Sequence, residues 1–169
     1  MLQDRGNMRG DAAHEFAVRF AGAMLALAIA TVHVADQGGV TALNSPDWIG
    51  WGYRIIEVGG VLTAVVLLLP SPVRLTAWAG WAAGVLLGVG PFVAYILSRS
   101  VGLPGDPGDV GNWGYWVGTV SLFVEAALIV LSVSMLLAMR QSAGGTFRAL
   151  IMQPRGRSLH AAAEGAAGK

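Results

Sequence analysis

Four apolar stretches, each about 20 residues long and almost free of charge, limit this chain's possible folds more than any other feature. They run over Phe16–Ala35, Ile49–Leu69, Leu75–Leu97 and Trp116–Ala138. A hydrocarbon core ~30 Å thick takes that many helical residues to cross, and a backbone surrounded by lipid has to satisfy its own hydrogen bonds. The expectation is therefore an all-α integral membrane protein. Its four-helix bundle occupies residues 16–138, between an N-terminal arm at 1–15 and a tail at 139–169. Composition agrees: 54% of the 169 residues are apolar and 12% charged, where soluble proteins carry about a quarter charged residues. Mean hydropathy is +0.59. Ala28-Ile29-Ala30 also resembles a small-residue cleavage site, which makes a secretory signal peptide the competing reading of the first stretch.

Where the charges fall sets the expected orientation. Arg5, Arg9, Arg19, Arg74, Arg140, Arg148, Arg155, Arg157 and Lys169 lie toward the N-terminal end, in the second loop or in the tail. Loops one and three carry Asp36, Asp47, Asp106 and Asp109, with Arg99 as their one cation. The positive-inside rule then places both termini in the cytoplasm of a multi-pass, N-in/C-in protein. Trp48, Trp51, Tyr53, Trp113, Tyr115 and Trp116 make an aromatic belt at the outer interface. A net charge of +1 with no basic run speaks against a nucleic-acid partner. The absence of cysteine removes disulfides, thiolate ligands and Cys nucleophiles.

Packing signals come next. The "PSPVR" connection holds spans two and three as a hairpin, and Gly80, Gly84 and Gly88 form a small-residue ridge that lets another helix approach closely. Pro91 removes one hydrogen bond from the third span and should kink it. The tail is rich in Gly, Ala and Arg, lacks apolar periodicity, and by composition needs a partner to become ordered.

Ionisable groups inside a span are costly and mark candidate sites. They are His33, Arg54, Glu57 and Glu125, with Asp36 and Arg99 at the outer rim, and all fall in the outer half of the expected bundle. A continuous ion path through one subunit is therefore poorly supported. Arg54 and Glu57 stand three residues apart and can pair on one helix face. Arg99 is suited to a helix C-terminus and can reach down to Glu125 or sideways to Asp106 and Asp109. His33 is placed to hydrogen-bond Asp36 or Gln37, three and four residues on. One reading makes these residues buried ion pairs that fix helix register. A sharper one makes His33, Asp36, Glu57 and Glu125 an outward-facing ligand or divalent-metal site, with His33, Glu57 and Glu125 as the metal ligands. No cofactor is required, and two-histidine haem is excluded because His14 and His160 fall on the other side. Ser121 and Glu125 share a face, but no histidine accompanies them on that helix, so Ser-His-Asp chemistry and any catalytic assignment lack support.

"YILSRSVGLPG", then an acidic loop, an aromatic stretch and "SLFVEAALIVL", resembles a group of small four-helix membrane proteins of high-GC Gram-positive bacteria. Their Ser-Arg-x-x-Gly-Leu-Pro-Gly loop is matched by Ser98, Arg99, Gly102, Leu103, Pro104 and Gly105. Their last-span glutamate is matched by Glu125, and the histidine closing their first span by His33 in "TVHVADQ". The resemblance covers about Ala30 to Ala138, implies the bacterial plasma membrane and brings no established activity. "IEVGGVLTAVVLLLPSPVRLTA" is similar to spans two and three of the DoxX-like family, which is linked to quinone-dependent redox complexes, though the usual N-terminal glycine and lysine pattern is missing here. The leading expectation is a non-catalytic accessory subunit of a larger membrane complex, such as an oxidase, monooxygenase or transport assembly, with lipid and larger subunits as partners. The alternatives are a small proton-coupled transporter acting as a homodimer and a metal- or quinone-linked redox protein.

Overall fold

The computed structural model describes residues 2–42, 46–69 and 74–151, without side chains for 2–9, 11, 74 and 143–151. Four helices make up the regular structure: α1 (Leu2–Asp36), α2 (Asp47–Leu68), α3 (Arg74–Ser100) and α4 (Trp116–Ile151). No strand occurs among the described residues. Each helix contains a segment long and apolar enough to cross a membrane: Ala12–Asp36, Asp47–Leu68, Leu75–Ser100 and Trp116–Ser142. Three helices run past the apolar stretches that announced them, because helix propensity continues where hydrophobicity stops. Thus α1 begins at Leu2 and α4 continues through Ile151, into the segment expected as tail. Residues 152–169, most of the "PSPVR" connection and residues 43–45 lie outside the described set. Two compact units divide the chain, residues 1–136 and 137–169.

Its core is built from small residues. Buried positions on α4 fall at Gly118, Ser121, Glu125, Leu128 and Ser132, an alternating three-and-four spacing that keeps one stripe facing inward. On α1 the buried stripe is Ala23, Ala26, Ile29, Ala30 and His33, continued by Gln37 just past the helix end. Ala28-Ile29-Ala30 therefore sits in mid-helix with Ile29 and Ala30 inside the core. Helices α1 and α2 meet at Gly60, where an added Cβ would stand 2.7 Å from the Ala26 carbonyl oxygen and 2.9 Å from the Ala30 Cβ.

The α3 glycine ridge serves two neighbours rather than one. Gly80 lies against Leu67 and Val66 of α2, whereas Gly84 faces Ser132 and Gly88 faces Ile129 and the Glu125 carbonyl, all on α4. Four residues turn a helix by about 40° beyond a full turn, so an i, i+4, i+8 series winds from one partner to the next.

The connections that matter for function lie at one end of the bundle. There α3 ends at Ser100 and is terminated by Gly102, whose N–H bonds the Leu97 carbonyl at 3.0 Å and whose φ of +82° suits a residue without a Cβ. Leu103-Pro104-Gly105-Asp106 makes a tight turn closed by the Asp106 N–H on the Leu103 carbonyl. Gly105, at φ +82°, is the glycine such a Pro-Gly turn needs. The loop is tied back by the Gly111 N–H on the Arg99 carbonyl (2.8 Å) and clamped to α2 by the Trp48 indole N–H on the Pro104 carbonyl (3.1 Å).

Candidate functional site

Two polar clusters occupy this end of the bundle, and they differ in character. In the first, Arg54 bonds Glu57 Oε2 at 2.7 Å with one nitrogen and the Ala42 carbonyl at 2.5 Å with another. The Gln37 amide donates to Glu57 Oε1. The two carboxylate oxygens are thereby each matched by a donor, and the cluster staples the end of α1 and the loop after it to α2. The expected Arg54–Glu57 pair is thus present, joined by Gln37, which sequence spacing assigns to His33 rather than to Glu57.

The second cluster lines a cavity of about 160 Å³. His33 comes from α1, Tyr53 from α2, Tyr95 and Arg99 from α3, and Ser121 and Glu125 from α4. The cavity opens toward a second, more polar concavity bounded by Asp36, Asp106, Asp109, Asn112 and Tyr115. Arg99, 6% exposed, pairs with Asp109 of the following loop. Its guanidinium stands 4.8 Å from the Tyr95 ring centre and 5.8 Å from that of Tyr115, within cation–π range. Of the carboxylates within the expected reach of Arg99, the one engaged is Asp109. Glu125 is occupied elsewhere, because Gly102 turns the chain back over the end of α3 and presents the loop aspartate first.

Glu125 is 1% exposed. Its Oε1 accepts the Ser121 hydroxyl at 2.5 Å and lies 3.8 Å from His33 Nε2, while Oε2 has no hydrogen-bond partner. His33 Nδ1 sits 2.9 Å from the Ile29 carbonyl. A carbonyl only accepts, so Nδ1 carries the proton, and in the neutral ring Nε2 turns a lone pair toward Glu125. The expected His33 bonds to Asp36 or Gln37 are not made: Asp36 accepts the Tyr53 hydroxyl and Gln37 serves Glu57. The Tyr115 hydroxyl, bonded to the Asp36 carboxylate and partly desolvated, titrates above the ordinary tyrosine range.

Two sequence expectations change here. Among the described residues no three His, Asp or Glu side chains come close enough to hold a metal ion. The set His33, Glu57 and Glu125 does not converge, because Glu57 is turned toward Gln37 and Arg54. Conversely, a histidine does reach Ser121 and Glu125, but from α1 rather than α4. The arrangement does not form a serine–histidine pair: the Ser121 hydroxyl donates to Glu125, and the His33 Nε2 lone pair faces that carboxylate rather than the serine. Tyr53 and Tyr115, read from sequence as interface aromatics, are together with Tyr95 wall residues of the cavity and its mouth. Each pairs a ring with a hydroxyl, and that double character was the available signal.

No protein-family model matches this chain, and neither the curated proteins nor the solved structures contain a match to it.

Proposed function

We propose that this chain is a multi-pass protein of the bacterial plasma membrane, both termini cytoplasmic, that serves as a non-catalytic ligand-binding accessory subunit of a larger membrane complex. The observation that carries the reading is the cavity ending on Glu125. Glu125 lines its floor, and Glu125 Oε2 is a deeply buried carboxylate oxygen without a hydrogen-bond partner, as Arg99 Nε on the cavity wall is an unpartnered donor; such groups cost free energy unless something satisfies them. Deeper along the helices, Ile29, Trp81, Leu128 and Ser132 are fully buried and fill the core. A site closed beneath its polar floor is suited to holding a molecule rather than passing it through. The orientation follows from the arginine distribution and puts the cavity mouth on the extracytoplasmic side. The broad apolar surface on every helix, including Phe20, Trp51, Leu86 and Phe123, can meet lipid or neighbouring subunits alike.

Purification of the tagged protein from its native membrane in mild detergent, with mass spectrometry of co-purifying chains, tests the assignment. Larger subunits in stoichiometric amount are expected. A lone homodimer would overturn the accessory role and favour the second reading, a small transporter working as a dimer. The specific support for that alternative is Glu125 itself, a buried carboxylate facing a cavity; it requires that Glu125→Gln abolish transport while leaving assembly intact.

A further inference from the structure

We infer that the cavity takes a compact organic cation, a primary amine whose ammonium group sits between Glu125 and His33. This rests on the reading of the cavity as a ligand pocket and specifies its chemistry. Three observations converge. The floor offers acceptors: Glu125 Oε2 has no partner, and His33 Nε2, with its proton placed on the other nitrogen by Ile29, is a lone pair 3.8 Å from Glu125 Oε1. A group that brings several N–H donors satisfies both, which a neutral hydrocarbon or an anion cannot do. The walls and mouth carry four carboxylates, Asp36, Asp106, Asp109 and Glu125, against the single guanidinium of Arg99. That guanidinium is paired with Asp109 through Nη1 and stacked near the Tyr95 and Tyr115 rings, while its Nε has no hydrogen-bond partner, so an anion is the competing ligand to be tested. The remaining walls include Trp48 and Tyr53, whose rings suit the alkyl part of an amine and the cation itself. The dimensions agree, since a cavity on the order of 150 Å³ accommodates a benzene-sized molecule.

Burying an ammonium costs solvation unless it is paired and hydrogen-bonded. Here the pairing is complete on both sides: Ser121 holds one oxygen of Glu125 and the ligand takes the other. An anion directed to Arg99 is the chemical opposite and forms the natural control.

The test uses the full-length protein in lipid nanodiscs, with binding followed by saturation-transfer NMR on three probes of one size: propylammonium, propanol and propionate. Propylammonium is expected to bind saturably and at least tenfold more tightly than either of the others. Glu125→Gln, which keeps shape and the Ser121 contact, is expected to weaken it tenfold or more. His33→Asn is expected to weaken it less, with helix content by circular dichroism unchanged in both variants. Equal or tighter binding of propanol or propionate would overturn the cation assignment and leave the pocket standing. Failure of all three probes to bind the wild-type protein would overturn the pocket as well.

Discussion

At the scale of single residues, the bundle is governed by how closely two backbones can approach. Gly59 and Gly60 are neighbours on α2, yet only Gly60 faces α1. A Cβ on Gly60 would meet the Ala26 carbonyl at 2.7 Å, so backbone has to move; a Cβ on Gly59 would meet only the end of Leu87 at an ordinary 3.8 Å. Gly60→Ala is therefore expected to destabilise the protein by about 1–3 kcal/mol, the usual cost of overpacking. Gly59→Ala should be neutral or stabilising by up to about 1 kcal/mol, the helix propensity gained over glycine. Reversible unfolding in mixed micelles distinguishes the two, and equal effects would mean that α1 and α2 do not meet at Gly60. The same reasoning separates the polar residues. Glu57 has both oxygens matched by donors, whereas Glu125 has one left over, and that difference is why Glu125 rather than Glu57 carries the proposed ligand site.

At the scale of elements, helix ends are held by side chains from other helices. Arg19 on α1 donates to the Leu67 carbonyl and to the Leu69 carbonyl, each at 2.7 Å. These carbonyls belong to the last turn of α2 and to its C-cap residue Leu69, where backbone acceptors lack partners within the helix and positive charge is favoured. Arg19→Gln should cost about 1.5–3 kcal/mol, the range for hydrogen bonds made by a charged group. Because one planar fork serves both oxygens, Arg19→Lys should recover only part of the loss. An unfolding midpoint unchanged in Arg19→Gln would show that the α2 terminus is not anchored this way. At the opposite end, Gly102, the Pro104-Gly105 turn and Trp48 play the corresponding role for the loop that carries Asp106 and Asp109. Loop geometry there decides which carboxylate meets Arg99.

At the scale of the whole molecule, the distribution of charge sets the proposed placement in the membrane. Because the chain has no cysteine, single introduced thiols report their own surroundings without background. Gly108→Cys, in the acidic loop, should react with a membrane-impermeant maleimide added to intact cells. Arg140→Cys should react only after the membrane is opened. The reverse pattern would invert the topology and place the cavity mouth in the cytoplasm. Labelling of both from outside would argue against an intact multi-pass arrangement.

The number and order of the helices, and the extent of their apolar segments, were legible in the sequence, because the length of an uncharged apolar run is a local property and each run is long enough to be helical; where α1 begins and α4 ends was not. So were the identities of the candidate residues, since a carboxylate, guanidinium or imidazole within such a run stands out by its solvation cost alone. Their pairing was not legible. In a helix apolar on all sides, periodicity does not mark the inward face, and only the mutual rotation of the helices turns Glu125 to His33 rather than to Arg99. The glycine ridge showed the same limit: its spacing announced close approach, but the helical winding that divides it between α2 and α4 needed the neighbours in place. The cavity, the free oxygen at its floor and the choice of Asp109 for Arg99 are likewise products of tertiary packing, since each depends on distances between atoms that lie on different helices.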